Sequence, residues 1–167
     1  MPERRAPAAG IEIRVTDWAR DGARLTAVRR AVFVAEQGVP EALEWDGADA
    51  GAVHVLALAK REPVGTGRLL PTGKIGRLAV LPSARRHGVG SLLLSRLVEL
   101  ARARGQGGVY LHAQVDALGF YVAHGFVADG PEFDEAGLRH RRMRLAFSAE
   151  QRADPAADGA EDDPVDR

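Results

Sequence analysis

The chain has no cysteine, which excludes disulfides, thiolate metal sites and a cysteine acyl-enzyme. It also lacks charge of one sign. Its 23 Lys and Arg balance 23 Asp and Glu, so there is no electrostatic case for a nucleic-acid or membrane-surface protein. No apolar run approaches the roughly 18 residues that cross a bilayer, and the first residues lack the apolar segment of a secretory signal. A soluble, cytoplasmic protein with no membrane or nucleic-acid partner is therefore expected. The five histidines form no i, i+4 pair, which argues against a metal site. Internal repeats are absent.

The 167 residues that are present suit one domain with a sizeable core. Residues 1–10 and 148–167 carry almost no apolar pattern. They are expected to be disordered tails, the second acidic, around a single domain at 11–147. Ile11 to Val15 alternates as a strand. A helix follows, with Leu25, Val28 and Val32 on one stripe and Arg24, Arg29 and Arg30 on the other. Glu36 continues the apolar stripe, and Gly38-Val39-Pro40 ends the helix. The acidic stretch 41–49 reads as a loop or a broken short helix around Trp45. Ala52 to Ala59 reads as a strand covered on both faces, Lys60 to Pro63 as a hairpin turn, and Val64 to Leu70 as the returning strand. After Pro71-Thr72-Gly73, Ile75 begins a third strand of an antiparallel meander. The pattern then predicts a helix ending near Gly105 and a strand from Gly108 to Ala113. That strand is reached through a helix and should therefore run parallel to the one before it. A short helix closed by Gly125 and two strands, near Phe126-Val127 and at His140 to Phe147, complete an α/β fold with a mixed sheet.

The most informative stretch lies between the third strand and the long helix. Arg85-Arg86-His87-Gly88-Val89-Gly90-Ser91 places two glycines and three basic residues at a helix start, where first-turn amides lack partners and the macrodipole is positive. The glycines leave room for a ligand, which should carry phosphate. No Lys follows Gly90, so this is not a nucleotide P-loop, and Leu93 stands where a dinucleotide fingerprint needs glycine.

Arg85-x-x-Gly88-x-Gly90 after a strand resembles the pyrophosphate loop of the GNAT-superfamily N-acetyltransferases. Phe120-Tyr121-x-x-x-Gly125-Phe126, in a helix-then-strand context, resembles the second signature of that family. The similarity runs from about Ile11 to Phe147. Its finer features suggest the ElaA-like branch: Val32-Phe33-Val34-x-Glu36-Gln37, Asp46-Gly47-x-Asp49, His54, Gly76-Arg77, Ala113-Gln114 and Glu135-x-Gly137-x-x-His140-x-x-Met143.

The resemblance implies direct transfer of acetyl from acetyl-coenzyme A to a primary amine. It implies that the fourth and fifth strands splay, with backbone groups of Leu78, Ala79 and Val80 meeting the pantetheine arm and one amide meeting the thioester oxygen. Arg86, His87, Gly88, Val89, Gly90 and Ser91 would wrap the pyrophosphate with Arg85 beside them. Gln114 would lie near the cofactor, and Tyr121 would protonate the leaving thiolate. Many relatives carry a base on the fifth strand, but here that strand offers only Tyr110 and His112. Glu36 is the alternative base, on the expectation that a carboxylate on an apolar stripe has a raised pKa. Its other reading is a helix-end residue bonded to backbone. His54, His112 and His140 are the candidate substrate-side residues, with a core role the alternative for His54. Trp45 reads as a lid or as packing, and Arg68 and Arg77 as contacts for an acidic substrate or as solvated strand residues. A non-catalytic coenzyme-A-binding sensor or assembly module is the alternative function. A homodimer and the identity of the amine are left open.

Overall fold

The structure, a computed structural model, describes residues 10–150. The expectations for the tails fall mainly on residues 1–9 and 151–167, outside the described residues. Asp17 caps the first helix by accepting a hydrogen bond from the Arg20 amide at 2.8 Å. In chain order the elements are β1 (Ile11–Thr16), α1 (Trp18–Arg29), α2 (Glu41–Glu44), β2 (Val53–Ala59), β3 (Glu62–Leu69) and β4 (Lys74–Val80). Then come α3 (Val89–Ala103), β5 (Gly108–Gln114), α4 (Leu118–Ala123), β6 (Val127–Glu135) and β7 (Leu138–Ala146). α1 runs without a break into a π-helical turn, Arg30–Glu36, where the Gln37 amide reaches back to the Val32 carbonyl.

All seven strands form one sheet in the order β1-β2-β3-β4-β5-β7-β6. Every neighbour is antiparallel except β4 and β5, which run parallel as the helical crossover requires. The meander is longer than the sequence suggested, because β1 joins its edge. The β2–β3 turn is also tighter. It uses only Lys60 and Arg61, both at positive φ, so Pro63 falls inside β3. β6 is nine residues long although exposed or half-buried throughout, and it therefore leaves no apolar signature in the sequence.

α3 packs on one face of the sheet. Leu93, Leu94, Leu97 and Ala101 are fully buried against Val55, Ala57, Leu69, Ile75, Val109 and Leu111. Each buried leucine contributes about 1.5–3 kcal/mol. α1 lies on the opposite face, with Leu25 on Leu56 and Leu58, and Val28 and Val32 on Ala79. It packs chiefly on β2, β3 and β4. On the same face of β5 and β7, Tyr110 and His112 are half-buried and Arg142 and Arg144 are exposed.

At Gly108 a Cβ would stand 2.6 Å from the Leu145 carbonyl oxygen and 3.1 Å from the Ala146 Cα. Those are backbone atoms of the neighbouring strand and cannot rotate away. Gly108→Ala is expected to cost about 1–3 kcal/mol, read as a lower melting temperature by circular dichroism. An unchanged melting curve would show that β5 and β7 are free to move apart.

The stripe of arginines on α1 is not all solvated, as the helical pattern implied. Arg29 is completely buried. Its Nε donates to Glu44 at 2.9 Å and its Nη1 to Asp49 at 2.6 Å, while the rings of Trp45 and Trp18 lie 5.0 and 5.5 Å from the guanidinium. Arg68, also buried, donates to Asp46 at 2.9 Å and to Asp49 at 3.1 Å. Arg77 Nε lies 3.1 Å from Glu44. Three arginines and three acids thus strap segment 41–49 to the sheet. Arg68 and Arg77 belong to this network rather than to solvent, and Trp45 packs within it.

Candidate active site

The register of β4 and β5 ends almost where it begins. Only Lys74 with Tyr110 and Ile75 with Leu111 are paired. On its other side β4 carries a bulge. Pairing with β3 jumps from Arg68–Gly76 to Thr66–Ala79, Arg77 adopts a φ of +50, and the Thr66 hydroxyl holds the Arg77 carbonyl at 2.9 Å. From Gly76 onward the β5 side of β4 therefore has no strand partner, which is the splay that the resemblance implied. A cleft of about 740 Å³ opens there, lined by Leu78, Ala79 and Val80 on one wall and by Gln114, Ala117 and Tyr121 on the other.

Beyond the cleft, Gly88 is the N-cap of α3, and no side chain caps the first turn. The two glycines differ in what the backbone asks of them. Gly88 has a φ of +79, a left-handed backbone that a side chain would strain, with open space where a Cβ would stand. Gly90 lies outside that region, and a Cβ there would sit 3.5 Å from the Phe120 ring, in ordinary van der Waals contact, so neither strain nor crowding demands glycine at that position. Arg86 and His87 are exposed beside this turn, Ser91 is half-buried, and the Val89 side chain is in the core.

Two consecutive residues at the end of the π-helical turn span the cleft. Glu36 accepts both Nη groups of Arg85, whose Nε donates to the Val80 carbonyl at 2.9 Å. Gln37 and Gln114 exchange reciprocal amide hydrogen bonds of 2.9 and 3.3 Å. This corrects the expectation for Glu36. Its hydrogen bonds from Arg85 hold the carboxyl below the usual range instead of raising it, which removes the reason for making it the base. Arg85, for its part, has its fork engaged by Glu36. Gln37 enters the sequence reading only through the Glu36-Gln37 pair of the ElaA-like pattern, with no role of its own, because its partner Gln114 lies 77 positions away.

Tyr121 is half-buried, its ring set edge-on between Phe120 at 5.1 Å and Phe126 at 5.9 Å. Its hydroxyl has no hydrogen-bond partner among the described residues. Burial pushes its pKa up to about 12, so the phenol keeps its proton at neutral pH.

The three histidines separate. His54 is buried away from the cleft against Trp18, donating from Nε2 to the Asp49 carbonyl at 2.9 Å. Burial holds its imidazole below the usual value. It is a core histidine, not a substrate contact. His112 and His140 both line the cleft, together with Glu135, which sequence reasoning did not assign a role. Glu135 ends a strand with no apolar pattern, so beyond its place in the Glu135-x-Gly137 pattern nothing local gives it a role. Among the described residues no cluster could hold a metal ion and no helix is long and apolar enough to cross a membrane.

A mixed sheet that splays at its one parallel pair, beside a glycine-capped helix start, is the arrangement that the resemblance to acyltransferases implied. The chain matches the acetyltransferase (GNAT) domain over residues 15–147 and belongs to that family. It is similar to YjcF of Bacillus subtilis, an uncharacterized N-acetyltransferase, at 38% identity over 120 residues, 70% of this chain and 86% of that protein. Among solved structures it is similar to Escherichia coli ElaA, with a TM-score of 0.73 at 28% identity over 81% of this chain and 99% of that one. An acyl-CoA N-acyltransferase of Pseudomonas aeruginosa gives the same TM-score at 30% identity, with 81% and 99% coverage. The protein is thus a GNAT-type N-acetyltransferase.

Proposed function

We propose that the enzyme moves an acetyl group from acetyl-coenzyme A to a primary amine by direct attack, with Tyr121 as the donor to the leaving sulfur. The carrying observation is the Tyr121 hydroxyl, protonated and without a protein partner, on the wall of the splayed cleft. A module that only bound the cofactor would have no use for it. The residues fit coenzyme A. The unpartnered edge of β4 at Leu78, Ala79 and Val80 suits the amides of a pantetheine arm, and Gln114 flanks it from β5. The uncapped first turn at Gly88, Val89, Gly90 and Ser91, with Arg86 and His87 alongside, suits a pyrophosphate. Arg85 acts by fixing Glu36 and the Val80 carbonyl at the mouth. When bound, acetyl-coenzyme A supplies an activated acetyl thioester. A β4 amide near Leu78 would face its carbonyl oxygen as charge builds there. The name of the Pseudomonas relative, an acyl-CoA N-acyltransferase, supports this choice of donor.

Ser91→Glu tests the cofactor half of the reading. A carboxylate in the first turn of α3 favours the helix through its dipole, so the melting temperature should hold. The same charge competes with a pyrophosphate, so acetyl-coenzyme A affinity by calorimetry should fall by about tenfold or more, the loss of one charge-assisted contact. Equal affinity in variant and wild type would overturn the phosphate site.

A further inference from the structure

Lys74, at the start of β4, stands opposite Tyr110 and lines the cleft, half-buried. It has no ion pair or hydrogen bond to its ammonium among the described residues. The other two cationic side chains lining the cleft are committed, Arg77 to Glu44 and Asp46 and Arg85 to Glu36. His112 shares the face of Tyr110, two residues and roughly 7 Å further along β5. Its Nδ1 is 3.2 Å from both carboxylate oxygens of Glu135. Glu135 therefore accepts the Nδ1 proton and leaves the lone pair on Nε2. Phe133 meets the imidazole edge-on at 5.0 Å and fixes its plane. Gly76 lies on β4 just past the last ladder pair, where a Cβ would have no heavy atom within 4 Å. A cation, an open floor and an oriented base thus lie in sequence along the cleft.

We propose that this face is the acceptor subsite, and that the acceptor is a primary amine that also carries an anionic group, held by Lys74 while His112, oriented by Glu135, takes the ammonium proton. The inference rests on the acetyl transfer proposed above. An amine without an anion would bring a second positive charge beside Lys74 and give that ammonium nothing to neutralise it. The protons balance. The acceptor nitrogen loses one proton to His112 Nε2, from which it passes to solvent. Its lone pair then forms the bond to the acetyl carbon as the carbon–sulfur bond breaks, and sulfur takes the proton of Tyr121. The nitrogen's second proton restores Tyr121. The charged groups around His112 are Glu135 on β6, Lys74 on β4, and His140 and Arg142 on β7. His140 Nε2 lies 3.9 Å from Glu135, and Arg142 is paired with Asp129 at 2.7 Å.

The test measures thiol release from acetyl-coenzyme A with matched acceptors: phenylalanine against phenethylamine, 4-aminobutyrate against butylamine, and phosphoethanolamine against ethanolamine. Wild type, Lys74→Met and His112→Gln are compared, with acetyl-coenzyme A affinity and melting temperature measured on each. At least one anionic member should exceed its partner by tenfold or more in kcat/KM. Lys74→Met should erase that preference through KM. His112→Gln should lower kcat by roughly 10²–10⁴-fold and remove the acid limb of the pH profile, with cofactor affinity retained. A preference for the neutral amines, or one that survives Lys74→Met, overturns the acceptor class. So does a wild type that binds acetyl-coenzyme A and acetylates no member of any pair. An acid limb that persists in His112→Gln overturns the base. Failure of the wild type to bind acetyl-coenzyme A would instead remove the reading beneath both.

Discussion

Tyr121→Phe should slow single-turnover acetyl transfer by about 10²–10⁴-fold, while coenzyme A affinity changes by no more than about tenfold, the worth of one ground-state hydrogen bond. The ring stays clamped between Phe120 and Phe126, so packing and melting temperature should hold. The split between rate and affinity is diagnostic, because only an interaction that strengthens in the transition state raises the rate. The elevated pKa sharpens the expectation. At about 12, the phenol is a weaker acid than a free thiol, whose reference value is near 8.5. Full proton transfer to sulfur is uphill by roughly 3–4 pKa units, about 5 kcal/mol. The hydroxyl should therefore act late, first as a hydrogen-bond donor while charge collects on sulfur, and it passes its proton on only as the acceptor's second proton replaces it. Its protonated form persists well beyond neutral pH, so it should produce no alkaline limb near pH 9. A limb there that vanishes in Tyr121→Phe would contradict the buried environment. Equal small losses of rate and affinity would make Tyr121 a cofactor contact only.

The largest loss of stability is expected from Arg29→Met. Removing the guanidinium leaves Glu44 without its Nε donor and Asp49 with Arg68 alone, both buried. Breaking a buried pair on one side costs about 3–5 kcal/mol, and for a chain of this size each kcal/mol lowers the melting temperature by roughly 2–4 °C. The deficit should shrink in acid. Burial alone would raise the Asp49 pKa, but the guanidiniums of Arg29 and Arg68 outweigh it and hold the group below its ordinary value. Its contribution is therefore present above the unfolded pKa and lost as pH falls through the folded one. Glu44 has the opposite sign. Burial raises it against the pull of Arg77 and Arg29, so its stability is greatest when it is protonated and is lost as pH rises. Both effects narrow the gap between variant and wild type below the carboxylate range. Melting curves followed from pH 7 down to about pH 3 test this, because Asp49 keeps its charge below the ordinary aspartate range. A gap that widens in acid would mean that Arg29 serves the fold through its tryptophan contacts instead.

The glycine-capped start of α3 and the placing of Tyr121 on α4 were legible in the sequence because their signals are local. Arg85-x-x-Gly88-x-Gly90 and Tyr121 before Gly125 each sit within one turn-and-helix unit, where spacing alone dictates geometry. What could not be read was pairing across the chain. Glu36 looked like a lone carboxylate on an apolar stripe, but its partner Arg85 lies 49 positions away. Arg29 occupied a position that helical periodicity gives to solvent, and only the fold brings Glu44 and Asp49 beneath it. His54 misled for a related reason, since a histidine in a buried strand and one in a cleft have the same neighbours in sequence. The acceptor side suffered most. Glu135 and Phe133 lie on a strand exposed along its length, where no burial pattern marks them.

The sheet is continuous only in name. β1 to β4 form one panel and β5, β7 and β6 another, and a seam of two rungs joins their backbones, at Lys74–Tyr110 and Ile75–Leu111. α3 packs on strands of both panels and helps to keep them aligned. Each panel should therefore behave as its own block in amide hydrogen exchange, with the rungs opening more readily than the ladders on either side. A molecule lodged in the seam would bridge edges that the protein itself leaves unbridged. Exchange at the β4 edge from Gly76 to Val80 should slow when the donor binds, and the two blocks should merge into one.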